Sequence, residues 1–85
     1  MNDNFYLNLG KNIKKRRKQL GFSQQELADK LNISLNFMGK IEVAFSKPSL
    51  DTLIKIADGL EISVSDLCNF SIDGENSEKE EEGTK

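Results

Sequence analysis

The residues of this chain best suited to surface chemistry lie between Leu35 and Lys40. Asn36 and Lys40 are four positions apart, so a helical backbone puts both on one face. An asparagine amide matches the donor–acceptor edge of adenine, and a lysine ammonium suits the acceptors of guanine. Each is also an ordinary surface residue where nothing faces it. Gly39 and Val43 fall on the same side. Leu35 and Phe37 stand near the rim, where an apolar side chain either touches a thymine methyl or covers a neighbouring helix. Met38, Ile41 and Phe45 cluster opposite. A segment with an apolar back and a small, polar front fits the groove of a DNA duplex.

Such a face needs a scaffold, and the spacing of apolar residues supplies one. Phe5, Leu9, Ile13 and Leu20 recur at helical intervals and predict a first helix over 4–20, closed by Gly21. Arg17 lies on that same inward stripe, and a buried charge needs a partner. Ser23 and Glu26 form a capping box that opens a second helix, with Leu27, Ala28 and Leu31 inward and Asn32 at its end. Ser34 caps the third helix, expected to reach Val43. Glu42 falls on the flank of its apolar side, which makes it the partner for Arg17 in a structural salt bridge. Ser49 opens a fourth helix with a stripe of Leu50, Leu53, Ile54, Ala57 and Leu60. Ser63 and Asp66 repeat the start signal for a short fifth helix over 64–69.

Eighty-five residues suffice for one small core, and no run approaches the roughly 20 apolar residues that span a bilayer. The net charge of −2 conceals a division. Residues 71–85 hold six acids against two lysines, whereas residues 1–70 hold ten bases against eight acids. Five of those bases are consecutive, Lys14 to Lys18. The expectation is a mildly basic domain over 1–70 followed by an acidic, disordered tail over 71–85. The chain has no histidine, a single cysteine and no glycine-rich phosphate loop, so neither catalysis nor a metal or other cofactor is expected. Cys68 has no partner for an internal disulfide and no charged leader opens the chain; both fit a cytoplasmic setting.

Residues 9–67 resemble the helix-turn-helix domain of the phage-repressor and Cro-like family, also called the Xre family. The likeness runs through LGKNIKKRRKQLGFSQQELADKLNIS, LNFMGKIE and KPSLDTLIKIADGLEISVSDL. It implies an all-α, five-helix lambda-repressor-like fold whose third helix enters the major groove of double-stranded DNA. Position by position it implies base-edge contact from Leu35, Asn36, Gly39 and Lys40. It implies phosphate contact from Gln24, and it places Lys14, Lys18 and Lys47 where a phosphate backbone approaches; for the two α-helical lysines the alternative is a solvated helix face. Arg17 and Glu42 match the family's internal salt bridge. Regulators of this kind often pair on half-sites, and Ile62, Val64, Leu67 and Phe70 are the candidate homodimer patch.

Three positions depart from the family pattern. Val43-Ala44 stands where Asn-Gly is usual, so the loop after the third helix is free to take another path. Gly39 replaces a polar side chain. Glu61 occupies a position where glycine is common, with Gly59 two residues earlier, which would shift the end of the fourth helix. The first departure and the acidic tail lean toward a second function: a protein-interaction module or antitoxin that captures a protein partner.

Overall fold

A computed structural model describes residues 3–70. Among these residues the chain forms five α-helices and no strand: α1 (Asp3–Gln19), α2 (Gln24–Leu31), α3 (Leu35–Glu42), α4 (Leu50–Gly59) and α5 (Val64–Leu67). The expected acidic tail over 71–85 lies outside the described residues.

Serine starts four of the helices. In each, an extended serine accepts a hydrogen bond from the backbone N–H three residues on: Ser23 from Glu26, Ser34 from Phe37, Ser49 from Thr52 and Ser63 from Asp66. Only the first is a full capping box, because the Ser23 N–H also donates to Glu26 Oε1 at 2.8 Å.

The ends of α1 to α4 share a different device. Gly21, Asn32, Ala44 and Glu61 all adopt left-handed backbone, with φ of 82°, 58°, 65° and 58°. The following N–H then reaches back five residues, as from Phe22 to the Arg17 carbonyl and from Phe45 to the Lys40 carbonyl. Ala44 therefore takes the conformation that a glycine would take there, at a steric cost glycine does not carry. The fourth helix also closes without a shift, because Glu61 itself turns left-handed. Cations cover its free carbonyls: Arg16 Nε donates to Leu60 at 2.9 Å and Lys30 Nζ to Gly59 at 3.0 Å. Ala44→Gly is expected to raise stability by about 0.5–1 kcal/mol, read as a higher Tm with unchanged helical content.

Leu9 and Ile13 of α1, Leu27, Ala28 and Leu31 of α2, and Met38 and Ile41 of α3 form one side of the core. Ile56, Ala57 and Leu60 of the α4 region close it with Leu67 of α5. Four expectations are corrected here. Phe45 does not pack with Met38 and Ile41 but is 77 % exposed, because α3 ends at Glu42 and the left-handed Ala44 turns the chain outward. Leu50 (67 % exposed) and Ile54 roll off the flank of α4, whose inward stripe is Leu53, Ile56, Ala57 and Leu60. The fifth helix stops at Leu67, two residues short. The candidate dimer patch loses Leu67, which is fully buried; Ile62, Val64 and Phe70 are half-buried against the core, with Phe70 5.4 Å from the Phe5 ring. Leu67 thus closes the bundle from within, while Ile62, Val64 and Phe70 pack on the core and keep part of their surface outward.

Candidate nucleic-acid interface

The site begins with a buried ion pair. Arg17 Nε donates to Glu42 Oε2 at 2.7 Å and a terminal nitrogen donates to Glu42 Oε1 at 3.1 Å, a two-pronged geometry. Both residues are nearly sealed, at 6 % and 5 % exposure. The other terminal nitrogen donates to the Phe22 carbonyl at 2.8 Å, at the turn between α1 and α2. Gln24 joins the same cluster, its Nε2 donating to Glu42 Oε1 at 2.9 Å. One carboxylate thus ties together the end of α1, the start of α2 and the last turn of α3.

That cluster holds α3 by its back. Met38, Ile41 and Glu42 are buried, while Leu35, Asn36 and Val43 are exposed and Gly39 and Lys40 are half-exposed. The outward face is open at its centre: a Cβ added at Gly39 would find only Gln24 Oε1 within 4 Å, at 3.8 Å. Lys40 does not extend freely, because its ammonium lies 5.5 Å from the centroid of the Phe45 ring. Phe37, the other rim residue, packs against the core. Gly39→Ala is expected to stabilise the fold by about 0.5–1 kcal/mol, since it removes a flexible glycine from a helix and meets no obstacle. Chemical denaturation measures it.

Lys11, Lys14, Lys15 and Lys18 form an exposed stripe along α1. The two arginines within the basic run face inward, Arg17 to Glu42 and Arg16 to the end of α4. Lys47 is exposed in the α3–α4 loop, its ammonium 5.3 Å from the Tyr6 ring centroid. Cys68 is half-buried, and burial pushes its thiol above the ordinary value, so little thiolate is present near neutral pH.

Residues 13–67 match the helix-turn-helix family. The chain belongs to the helix-turn-helix family. It is 40 % identical over 62 residues to the cryptic phage CTXphi transcriptional repressor RstR of Vibrio cholerae serotype O1, covering 73 % of this chain and 55 % of that protein. It is 36 % identical over 61 residues to the HTH-type transcriptional regulator ImmR of Bacillus subtilis, covering 72 % and 48 %. The chain thus spans about half the length of these curated relatives. Among solved structures, the biofilm master regulator SinR in complex with DNA superposes with a TM-score of 0.68 at 34 % identity, covering 72 % of this chain and 98 % of that one.

In helix-turn-helix terms, α2 and α3 are the paired helices, joined by Asn32, Ile33 and Ser34. The structure brings Gln24, Gly39 and Glu42 together across that pair. Lys14 and Lys18 stand apart from them on α1. One hydrogen of the Gln24 amide nitrogen is engaged by Glu42, so a phosphate contact from it must use the second amide hydrogen or the backbone N–H at the start of α2. Sequence reasoning placed Arg17 opposite Glu42 but missed that Gln24 completes the cluster. It also missed Arg16 and Lys30 as caps of α4; the one signal was that the left-handed residue after that helix is Glu61 rather than glycine.

Proposed function

We propose that the protein is a sequence-specific DNA-binding transcriptional regulator of the repressor type, which docks α3 in the major groove. One observation carries this reading: α3 is anchored from behind by Met38, Ile41 and Glu42, while its Leu35–Asn36–Gly39 front is open to solvent. A rigid helix with an unobstructed, small-residue face is what groove entry requires. The relatives are regulators and repressors by name, and SinR has been seen with DNA, which supports the same reading. On it, Asn36 and Lys40 read base edges, and Lys14, Lys18 and Lys47 neutralise phosphates. The loop that leaned toward a protein partner loses its weight, because Ala44 closes α3 with the left-handed turn a glycine would give. Action on DNA also implies a cytoplasmic site of work; among the described residues no helix is long and apolar enough to cross a membrane.

Selection of bound duplexes from a random pool tests the proposal and reports half-site repeats if the protein pairs on DNA. With three lysines on phosphate, log affinity should fall with log salt at a slope near −3 per chain. Asn36→Ala should weaken the selected duplex about tenfold and relax the preference at one position, with Tm unchanged. No enrichment of any sequence, or binding indifferent to salt, overturns the reading.

A further inference from the structure

Lys11, Lys14, Lys15 and Lys18 follow one another at helical spacing on one face of α1, and all four are exposed. No carboxylate answers them: α1 holds no acid after Asp3, and the one salt bridge among the described residues joins Arg17 to Glu42. The chain returns to this same helix at residue 70. Asn12 Nδ2, next to Lys11, donates to the Leu67 carbonyl at 2.8 Å. Lys15 and Asn69 line one groove between α1 and α5, and the Phe70 ring lies 5.4 Å from that of Phe5. Residues 71–85 continue from there and hold Asp73, Glu75, Glu78, Glu80, Glu81 and Glu82 against two lysines. The far lysine, Lys18, is about 20 Å along α1 from Phe5 at 1.5 Å per residue. Extended chain reaches about 17 Å from Phe70 by Glu75 and about 40 Å by Glu82, so the acids can meet the whole stripe. So short a tether holds them beside it at roughly millimolar effective concentration.

We infer that the lysine stripe of α1 docks the chain's own acidic segment, residues 73–82, and that duplex DNA must displace it. The docking stands apart from the functional reading; the competition with DNA rests on it, because Lys14 and Lys18 are proposed phosphate contacts. Exposed ion pairs are individually weak and are screened by salt, so the segment covers the stripe at low salt and leaves it as salt rises. A stripe covered about four-fifths of the time is about one-fifth competent, which raises the apparent Kd for DNA about fivefold.

The test keeps the full chain and neutralises the segment with Asp73→Asn, Glu75→Gln, Glu78→Gln, Glu80→Gln, Glu81→Gln and Glu82→Gln. Without DNA and at low salt, the backbone amide signals of Lys11 to Lys18 should differ between the two proteins. That difference should vanish at high salt and survive dilution. No difference on α1 overturns the docking, and a difference lost on dilution assigns the acids to a second copy and overturns docking within one chain. On the selected duplex the neutralised chain should bind about fivefold tighter at low salt and less than about twofold tighter at high salt. Diffuse repulsion between the acids and DNA also predicts a gain, so the stripe is altered separately. Lys11→Gln with Lys15→Gln, neither of them a proposed DNA contact, should cut the fivefold gain to under about twofold. A gain undiminished in that background overturns the competition. Failure of both proteins to select any duplex overturns the functional reading and the competition with it, while the amide signals still decide the docking.

Discussion

Glu42→Ala is expected to lower the free energy of unfolding by about 3–5 kcal/mol, measured by chemical denaturation. The carboxylate is the acceptor for two donors of Arg17 and one of Gln24. Without it a guanidinium remains almost completely buried, with the Phe22 carbonyl as its one acceptor among the described contacts. The penalty is that stranded charge, more than the attraction it loses. For a domain of this size such a loss is a large part of the total stability. The double substitution Arg17→Met with Glu42→Leu should recover most of it, because it removes both charges and fills similar volume. The cycle separates a buried pair from a solvated one: single changes costing under about 1 kcal/mol would mean that water reaches the site. Recovery of stability should not restore DNA binding in full. Gln24 would lose its anchor, and the carboxylate that ties α1 and α2 to the last turn of α3 would be gone.

Much of this was legible from local chemistry. Serine followed three residues later by an acid marks a helix start because the serine oxygen takes a free N–H of the first turn and the acid suits its positive end, and the starts at Ser23 and Ser63 follow directly. The pairing of Arg17 with Glu42 was legible for a related reason. Each residue breaks an otherwise apolar stripe, and two stripes that face one core force their charges together. Phe45 failed because its helix position was extrapolated past Glu42, where the left-handed Ala44 ends the periodicity. Ile56 and Ile54 are two residues apart, and only the angle at which α4 meets α2 decides which is inside. Gln24 illustrates the limit at the site itself. A glutamine at a helix start suits a phosphate or a carboxylate equally well, and whether Glu42 lies within reach depends on how α2 and α3 cross.

Gly10→Ala is expected to cost about 2–3 kcal/mol, although alanine is the better helix former. Position 10 is where α1 rests on the end of α3. A Cβ there would stand 2.4 Å from the Glu42 carbonyl oxygen and 2.8 Å from that of Ile41. Both obstacles are backbone, so no rotamer change relieves them, and α1 must lift away from α3. The gain from alanine in a helix, about 0.5–1 kcal/mol, is smaller than the cost of such overpacking. Lifting α1 also pulls Arg17 from Glu42, so the loss should couple to the ion pair: Gly10→Ala combined with Glu42→Ala should cost less than the sum of the two. Gly39→Ala supplies the control, the same change in a helix but with open space above it and the opposite expected sign. If both glycine substitutions stabilise the protein alike, α1 and α3 do not touch at Gly10, and the anchoring of α3 from behind, on which its exposed front depends, is wrong.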